Sequence, residues 1–205
     1  MNAVNMSAME ERAYHHGALA DALVAEATQQ VRASGTERVS LRGVAQAVGV
    51  SPSAAYNHFA DKDELLLAVT LAGHEELDRR LERAVAGVRG AGRASAIARL
   101  RALAEAYIAF AREDPNLFRH AFGPHCATKH SPSRSYALLD EALDELDARG
   151  LLRPGARSGL DLALWSQVHG FAELALSGIV PWEASAAMLG AFERATFTAA
   201  ALRVA

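Results

Sequence analysis

The chain has 205 residues, of which 51% are hydrophobic, 22% are charged and 6% are aromatic, with a formal net charge of -3 and a single cysteine. This length and apolar content suffice for one large domain or two small ones with a sizeable core, and the lone Cys126 excludes an internal disulfide framework. No charged start is followed by an apolar stretch, and no apolar segment reaches the about 20 residues that span a bilayer, so we expect a cytoplasmic protein without a membrane partner.

Alanine and leucine dominate the sequence, and it contains no long alternating run of β-branched residues, so we expect an all-α fold. The first predicted helix covers residues 17–33, where apolar side chains recur at helical spacing, and Gly35 follows as a C-terminal stop. Ser40 can cap a second helix of about two turns, which ends at Gly49.

The next two predicted helices begin at capping signals. Ser51 can cap a third helix that has Pro52 at its first position, where the missing N–H costs nothing. The buried side of this helix is predicted to contain Ala55, Tyr56 and Phe59. Asp61 and Glu64 have the spacing of a capping box and open a fourth helix.

Two short helices joined by a tight turn at Gly49, with a first helix beside them, are typical of a helix-turn-helix, whose second helix lies in the major groove of DNA. Ser51, Ser53 and Ala54 are small enough to let the backbone approach DNA, and exposed N–H groups at a helix start attract phosphate. A helical hairpin in an ordinary bundle would need no Ser-Pro-Ser start. This stretch therefore predicts a DNA-binding domain.

The second half of the chain predicts a further helical domain. We place the boundary near residue 70, which gives domains 1–70 and 71–205. The fourth helix continues across this boundary, and five more helices are predicted at residues 96–112, 115–122, 136–149, 158–178 and 182–203, with a loop at 123–133. The last two are apolar or alanine-rich on nearly all sides, so we expect them to pair with a second copy in a homodimer.

The run VSLRGVAQAVGVSPSAAYNHFADKDELL, residues 39–66, resembles the DNA-binding signature of the TetR family of bacterial transcriptional regulators. The similarity extends over residues 15–66 and includes Ser-Leu-Arg, Gly-Val-Ser, Tyr-x-His-Phe and Lys-x-x-Leu-Leu. The leading YHHG and the later WSQVHG, residues 165–170, are similar to a subgroup with a Trp-His-Gly element in its C-terminal domain. The resemblance implies a three-helix DNA-binding domain joined to a ligand-binding and dimerisation domain of about six helices.

The same resemblance implies which residues contact DNA. Ser40, Arg42 and Lys62 would contact phosphate. The third helix would face the major groove with Ser51, Pro52, Ser53, Ala54, Tyr56, Asn57 and His58. Asn57 departs from many relatives, which carry a longer or aromatic residue there, and an asparagine can either pair with adenine or touch only phosphate.

Charge sets a further expectation for the DNA-binding domain. Residues 1–70 contain five basic and eight acidic residues, so this domain is not basic. Binding would use few cationic contacts, together with helix N-termini and His15, His16 or His58. We therefore expect few released counterions and a shallow dependence of DNA affinity on salt.

A group of aromatic residues in the second half predicts a small-molecule pocket. Trp165 and His169 lie four residues apart on one face of an apolar helix, either as packed core with a hydrogen-bonded histidine or as one wall of an apolar pocket. The predicted pocket residues are Tyr107, Phe110, Phe118, Phe122, Tyr136, Trp165 and His169. The ligand would be largely apolar.

The segment HAFGPHCATKH gathers His120, His125, Cys126 and His130. Their spacing matches no closed zinc pattern and no second cysteine can resolve an oxidised one, so an ordinary loop is the default, while metal binding and redox sensing stay open. Esterase, phosphate-loop, dinucleotide and zinc-protease motifs are all missing, so we expect no catalytic residues, no metal and no cofactor.

These observations predict a ligand-responsive transcriptional regulator, in the simplest case a repressor, that a small molecule releases from double-stranded DNA. It would bind a pseudo-palindromic operator as a homodimer, with its two reading helices about 34–36 Å apart. The alternatives are an enzyme, which no motif supports, and a structural DNA-binding protein without a ligand, which would have no use for a large apolar second domain.

Overall fold

The structure is a computed structural model that describes residues 3–123 and 134–203, with side chains from residue 18 onward. Within these residues it contains ten α-helices: α1 Ala3–Ser34, α2 Leu41–Val48, α3 Pro52–Tyr56, α4 Lys62–Gly87, α5 Arg93–Glu113, α6 Pro115–Ala121, α7 Arg134–Ala148, α8 Leu160–Leu176, α9 Ser185–Thr196 and α10 Ala199–Leu202. The predicted all-α fold is confirmed. None of the helices described has both the length and the apolar character that crossing a membrane requires.

The helices form two compact units. The first contains the described residues up to Gly73, which are α1 to α3 and the beginning of α4, together with α6. The second contains the rest of α4, then α5 and α7 to α10. The predicted loop at 123–133, with His125, Cys126 and His130, lies outside the described residues except for Gly123.

In the first unit, helix starts and stops follow local signals in the sequence. Ser40 accepts a hydrogen bond from the backbone N–H of Gly43 at 3.1 Å and so caps α2. Gly49 ends α2 in the left-handed region with a φ of 82°, where a side chain would be strained. Half of the predicted capping box forms: Asp61 Oδ1 accepts from the N–H of Glu64 at 2.9 Å, whereas the Glu64 carboxylate accepts from the N–H of Ala60 at 2.6 Å and not from that of Asp61.

The second unit is built around α5, which packs against α7 and α8. Leu100, Leu103, Tyr107 and Phe110 are buried along its length, at the spacing predicted for an amphipathic helix. Ion pairs also attach α5 to its neighbours: Arg80 of α4 binds Glu113 at 2.5 Å, Arg99 binds Glu145 of α7 at 2.6 Å, and Arg101 binds Glu193 of α9 at 2.6 Å.

The prediction of one helix over residues 182–203 is wrong. The segment is divided into a 3-10 turn at Trp182–Ala184, α9 and α10, because Phe197 adopts an extended conformation and forms an antiparallel bridge with Leu152. The N–H of Thr198 donates to the carbonyl of Leu151 at 2.9 Å, and the Arg153 side chain donates to the carbonyl of Phe197 at 3.0 Å. These contacts from a distant part of the chain satisfy the backbone groups that the helix break exposes.

Acid should weaken the second unit through Glu145. The hydrogen bond from Arg99, supported by Arg149, lowers the pKa of Glu145 below its ordinary value of 4.5. A carboxyl group whose pKa is lowered by folding stabilises the native state above the unfolded pKa, and this contribution disappears as the pH falls through the folded pKa.

We therefore expect Glu145→Gln to be less stable than the wild type near neutral pH, with a difference that shrinks below about pH 4.5. Urea unfolding of both proteins from about pH 7 to about pH 3 measures this difference. A difference that stays constant across the range would show that the ionised carboxylate makes no contribution.

Candidate functional site

The candidate DNA-binding surface is built by α2, the turn at Gly49 and α3. The N–H of Val50 donates to the carbonyl of Ala45 at 2.9 Å, which closes the turn on the end of α2. Beyond the turn, Ala55 and Phe59 are buried and attach α3 to the first unit. The Ser51 side chain accepts from the N–H of Ala54 at 3.2 Å and caps α3. The arrangement is a helix-turn-helix.

The outer side of α3 differs from the prediction at one residue. Tyr56 was expected on the buried side, but 49% of its surface is exposed. Ala55 and Phe59 lie four positions apart and therefore share one face, and Tyr56 points to a different one. An exposed tyrosine on this short helix can contact DNA with its ring and hydroxyl without leaving a hole in the core.

The other residues predicted to contact DNA are accessible to different degrees. Ser51, Pro52, Ser53 and Asn57 are exposed, as are Ser40 and Arg42 on α2, whereas Ala54, His58 and Lys62 are half-buried. The hydroxyl groups of Ser51 and Ser53 lie 3.0 Å apart and form a hydrogen bond. Sequence reasoning overlooked Gly43, where an added Cβ would lie 3.0 Å from the capping oxygen of Ser40. The only feature of the sequence that indicates this close contact is the position of Gly43 three residues after the capping Ser40.

His120 has a structural role in the first unit. It is buried in α6, and its Nε2 lies 2.8 Å from the carbonyl oxygen of Leu66 and 3.1 Å from Oγ1 of Thr70, both in α4. A carbonyl oxygen only accepts, so Nε2 carries a proton and donates it to Leu66. This nitrogen is therefore not a metal ligand, and no group of three or more metal-binding side chains occurs among the described residues.

The second unit contains a small apolar cavity of about 30 Å³ between α4, α5, α7 and α8. Its walls are Leu81, Leu103, Ala104, Tyr107, Ser135, Leu139, Leu164, Trp165 and Val168. The Tyr107 hydroxyl and Nδ1 of His169 share a hydrogen bond at 2.9 Å, and the rings of Tyr107 and Trp165 meet edge to face with their centroids 5.3 Å apart. Apart from Ser135, the cavity thus has aliphatic and aromatic walls, and the hydrogen-bonded pair of Tyr107 and His169 lies beside it.

The structure brings some of the predicted pocket residues together. Tyr107 and Trp165 line the cavity, and His169 bonds to Tyr107. Tyr136 packs against Trp165, with the ring centroids 6.2 Å apart, and donates a hydrogen bond to Asp161 that lowers the pKa of that carboxyl group.

Three other predicted pocket residues do not line this cavity. Phe110 is fully buried with its ring 5.2 Å from the guanidinium carbon of Arg80. Phe118 and Phe122 belong to the first unit and pack on each other at 5.1 Å. The wall residues that sequence reasoning missed are mostly aliphatic, and their helical spacing is the same as that of ordinary core residues.

Known proteins match both halves of the chain. The family profile described as bacterial regulatory proteins, tetR family, matches residues 23–69, and the profile described as tetracyclin repressor-like, C-terminal domain, matches residues 100–197. Comparison with curated proteins finds no match.

Solved structures agree with the profiles. A protein with unknown function from Rhodococcus sp. RHA1 is 32% identical and has a TM-score of 0.75, with coverage of 90% of this chain and 98% of that one. A TetR family transcription regulator from Marinobacter aquaeolei VT8 is 19% identical, with a TM-score of 0.61 and coverage of 92% and 98%.

A third solved structure is AibR in complex with isovaleryl coenzyme A and operator DNA, which is 19% identical, with a TM-score of 0.53 and coverage of 75% and 85%. At this identity the similarity shows the fold alone. The two profiles, the helix-turn-helix and the helical second unit lead to the same assignment: the chain belongs to the TetR family of bacterial transcriptional regulators.

Proposed function

We propose that this regulator is a homodimeric repressor that binds a pseudo-palindromic operator and leaves it when a small molecule binds the second unit. As a TetR family member it is a DNA-binding, ligand-responsive and non-enzymatic protein. The proposal divides the chain into a DNA-binding domain, residues 1–70, and a ligand-binding and dimerisation domain, residues 71–205.

The exposed face of α3 is the observation that carries the DNA-binding part. Ala55 and Phe59 hold the helix to its unit, so Tyr56 and Asn57 can project outward without disturbing the core. Small residues at the start of α3 allow close approach of the backbone to a groove. In this proposal Tyr56 and Asn57 contact bases, while Ser40, Arg42 and Lys62 contact phosphates that fix the register.

The outer face of α8 supports the homodimer. Leu162 is 63% exposed and Leu174 is 44% exposed, and with Ser166 and Gly170 they are spaced four apart along one side of the helix. An added Cβ at Gly170 would meet nothing within 4 Å, so another helix has room to approach closely there. Exposed alanines occur on α9 as well, at positions 186, 187, 191 and 195. A second copy that packs its own α8 and α9 here would remove this apolar surface from water.

Selection of binding sites from random duplex DNA tests the proposed function. The purified chain should enrich a palindrome whose half-sites are about one helical turn apart, and it should bind with two chains per duplex. AibR, which was solved with operator DNA and an acyl coenzyme A, provides a precedent within this fold for binding both DNA and a small molecule. A lack of any enriched sequence would refute the proposal.

The affinity for the selected site should depend only weakly on salt. Residues 1–70 carry five basic and eight acidic residues, so few phosphates are neutralised when the protein binds. The logarithm of the association constant should fall with the logarithm of the salt concentration with a slope of about -3 to -5 for the dimer, compared with about -10 for proteins with many phosphate contacts. Fluorescence anisotropy at several salt concentrations measures it, and a slope near -10 would contradict the expected small number of contacts.

Charges on the outer face of α8 should dissociate the dimer. The double variant Leu162→Glu with Leu174→Glu would place two carboxylates per chain in the proposed interface, where burial without a partner is strongly unfavourable. Sedimentation should show a folded monomer, and operator affinity should fall by about 100-fold or more because the two half-sites are no longer bound together. Leu202→Glu, at a leucine on α10 with 37% exposure, is the matched control and should leave the dimer intact.

A further inference from the structure

An open depression on the outer side of α5 has the size of a small-molecule site. It has a volume of about 290 Å³ and lies between α5 and the segment that contains the 3-10 turn and the first residue of α9. All its lining residues belong to the second unit. An apolar cavity of about 150 Å³ already holds a benzene ring. The depression therefore has room for a larger molecule without movement of any side chain.

The floor of this depression is apolar. Ile108 and Ala109 of α5 form part of it, and Trp182 of the 3-10 turn forms another part. Ile108 is buried in one hydrophobic cluster with Phe171 of α8, and Trp182 packs against that cluster. The rings of Phe171 and Trp182 meet edge to face with their centroids 6.3 Å apart. A ligand with an apolar body would gain free energy by covering this surface.

Two opposite charges flank the floor. Glu105 and Arg112 both line the depression and lie seven positions apart on α5. This spacing places them on one face of the helix and about 10 Å apart along its axis. Ile108 and Ala109 lie between them on the same face. The depression thus has an acidic end, an apolar middle and a basic end.

Both charges are available to a ligand. The Arg112 side chain is exposed and forms no hydrogen bond or ion pair with the residues that the structure describes. Glu105 is exposed too, and its carboxylate accepts no hydrogen bond from the described part of the chain. Arg101, one turn before Glu105, attracts it, but the Arg101 guanidinium is bonded to both carboxylate oxygens of Glu193.

The third charged residue of the depression is already engaged. Glu113 binds Arg80 of α4 at 2.5 Å, and the same guanidinium binds Asp114 at 2.8 Å. Glu105 and Arg112 are therefore the pair that a ligand can satisfy, and a molecule with one positive and one negative end matches them.

We propose that this depression binds a linear zwitterion with an apolar body and about 10 Å between its charged ends. Its cationic end pairs with Glu105, its anionic end pairs with Arg112, and its body covers Ile108 and Trp182. Arginine suits a carboxylate because its N–H groups bond to both oxygens. A short peptide with free termini has this chemistry, since three extended residues span about 10 Å, and so does a long ω-amino acid. This binding does not depend on the repressor function proposed above.

The tripeptide Gly-Leu-Gly and its two blocked forms test the proposal. Acetylation removes its positive end, and amidation removes its negative end. The chain has two tryptophans, so the full-length Trp165→Phe variant leaves Trp182 as the fluorescent reporter. We expect the free tripeptide to change the Trp182 emission with saturation. Each blocked form should bind about fivefold more weakly, because it lacks one ion pair at an exposed site.

Three variants assign the two ends of the ligand. Arg112→Gln should reduce the affinity for the free tripeptide to that for its amide and leave the amide unchanged, and Glu105→Gln should act in the same way on the acetylated form. The double variant Glu105→Arg with Arg112→Glu should restore binding of the free tripeptide, in the reverse direction. Arg89→Gln, at an exposed arginine that does not line the depression, is the matched control and should leave every affinity unchanged.

A comparison with 8-aminooctanoate distinguishes the two sources of the zwitterion. Its charged ends are about as far apart as those of the tripeptide, but it has no amide groups. Equal binding of the two probes would support recognition of charge and length alone. Tighter binding of the tripeptide would identify a peptide as the ligand, and Ser185→Ala should then remove the difference, because the Ser185 hydroxyl lines the depression.

Three results would overturn the proposal: no saturable change in emission up to about 10 mM tripeptide, equal affinities for the free and both blocked forms, or affinities that Arg112→Gln and Glu105→Gln leave unchanged. These measurements are made without DNA, so their failure leaves the repressor function intact. A failed selection of operator sites, in turn, would refute the repressor function and leave the zwitterion site intact.

Discussion

Tyr56→Ala is expected to abolish specific operator binding while the protein stays folded and dimeric. Tyr56 is 49% exposed on α3, and the core contacts of that helix come from Ala55 and Phe59 instead. A good contact to a base contributes about 1–3 kcal/mol, and a homodimer loses two of them, so operator affinity should fall by about 100-fold or more. Fluorescence anisotropy with the selected duplex measures this loss.

Controls for this variant separate DNA contact from stability. The thermal unfolding temperature and the sedimentation coefficient should match those of the wild type, since surface substitutions change the free energy of unfolding by about 0.5 kcal/mol or less. Tyr56→Phe retains the ring and should keep part of the affinity. Wild-type operator binding by a folded Tyr56→Ala dimer would mean that α3 does not contact DNA through this side chain.

Phe197→Ala should be the most destabilising single substitution proposed for this chain. Phe197 is fully buried at the break between α9 and α10, and its backbone forms the bridge to Leu152. Removing a buried phenylalanine ring costs about 3–5 kcal/mol through lost apolar burial and the cavity that remains. Urea unfolding measures this change in the free energy of unfolding.

Leu71→Ala provides the comparison for Phe197→Ala. Leu71 is 39% exposed on α4, so its truncation should cost at most about 1 kcal/mol. A similar small cost for Phe197→Ala would mean that the bridge between Phe197 and Leu152 does not hold the C-terminal segment in place.

Sequence reasoning succeeded where the signal is local. Ser40 and Ser51 cap α2 and α3 as predicted, and Asp61 pairs with the N–H of Glu64 at the start of α4. These bonds join residues three positions apart, so they depend on the neighbouring sequence and not on distant packing. Gly49 is a local signal as well, because the left-handed backbone conformation at the end of α2 favours glycine regardless of what packs around the turn.

It failed where distant residues decide the outcome. The helix predicted over 182–203 is interrupted because Leu151 and Arg153 bind backbone groups around Phe197, and no pattern near residue 197 reveals them. Tyr56 was assigned to the buried side together with Ala55 and Phe59, but a helix of five residues that ends at Tyr56 is too short for its apolar pattern to define a face.

The candidate pocket shows the same limit. The aromatic residues chosen for the pocket included Phe118 and Phe122, which the fold places in the first unit. In that unit Ala121 packs so closely on Gly73 that a Cβ added to Gly73 would lie 3.1 Å from the Cβ of Ala121. Tyr107 and Trp165 were found, but the aliphatic walls of the cavity were not. Cavity walls and ordinary core residues have the same helical spacing, so only the packing of the helices distinguishes them.

Photocrosslinking from α3 to DNA is the most direct test of the claim that this helix reads the operator. A benzophenone amino acid replaces Asn57, which is exposed at the end of α3, and a second variant carries it at Glu75, whose side chain is 71% exposed on α4. We predict crosslinks from position 57 to bases at two places about one helical turn apart on the selected duplex, and none from position 75. Operator binding without any crosslink to bases from position 57 would contradict the assignment of α3 as the reading helix.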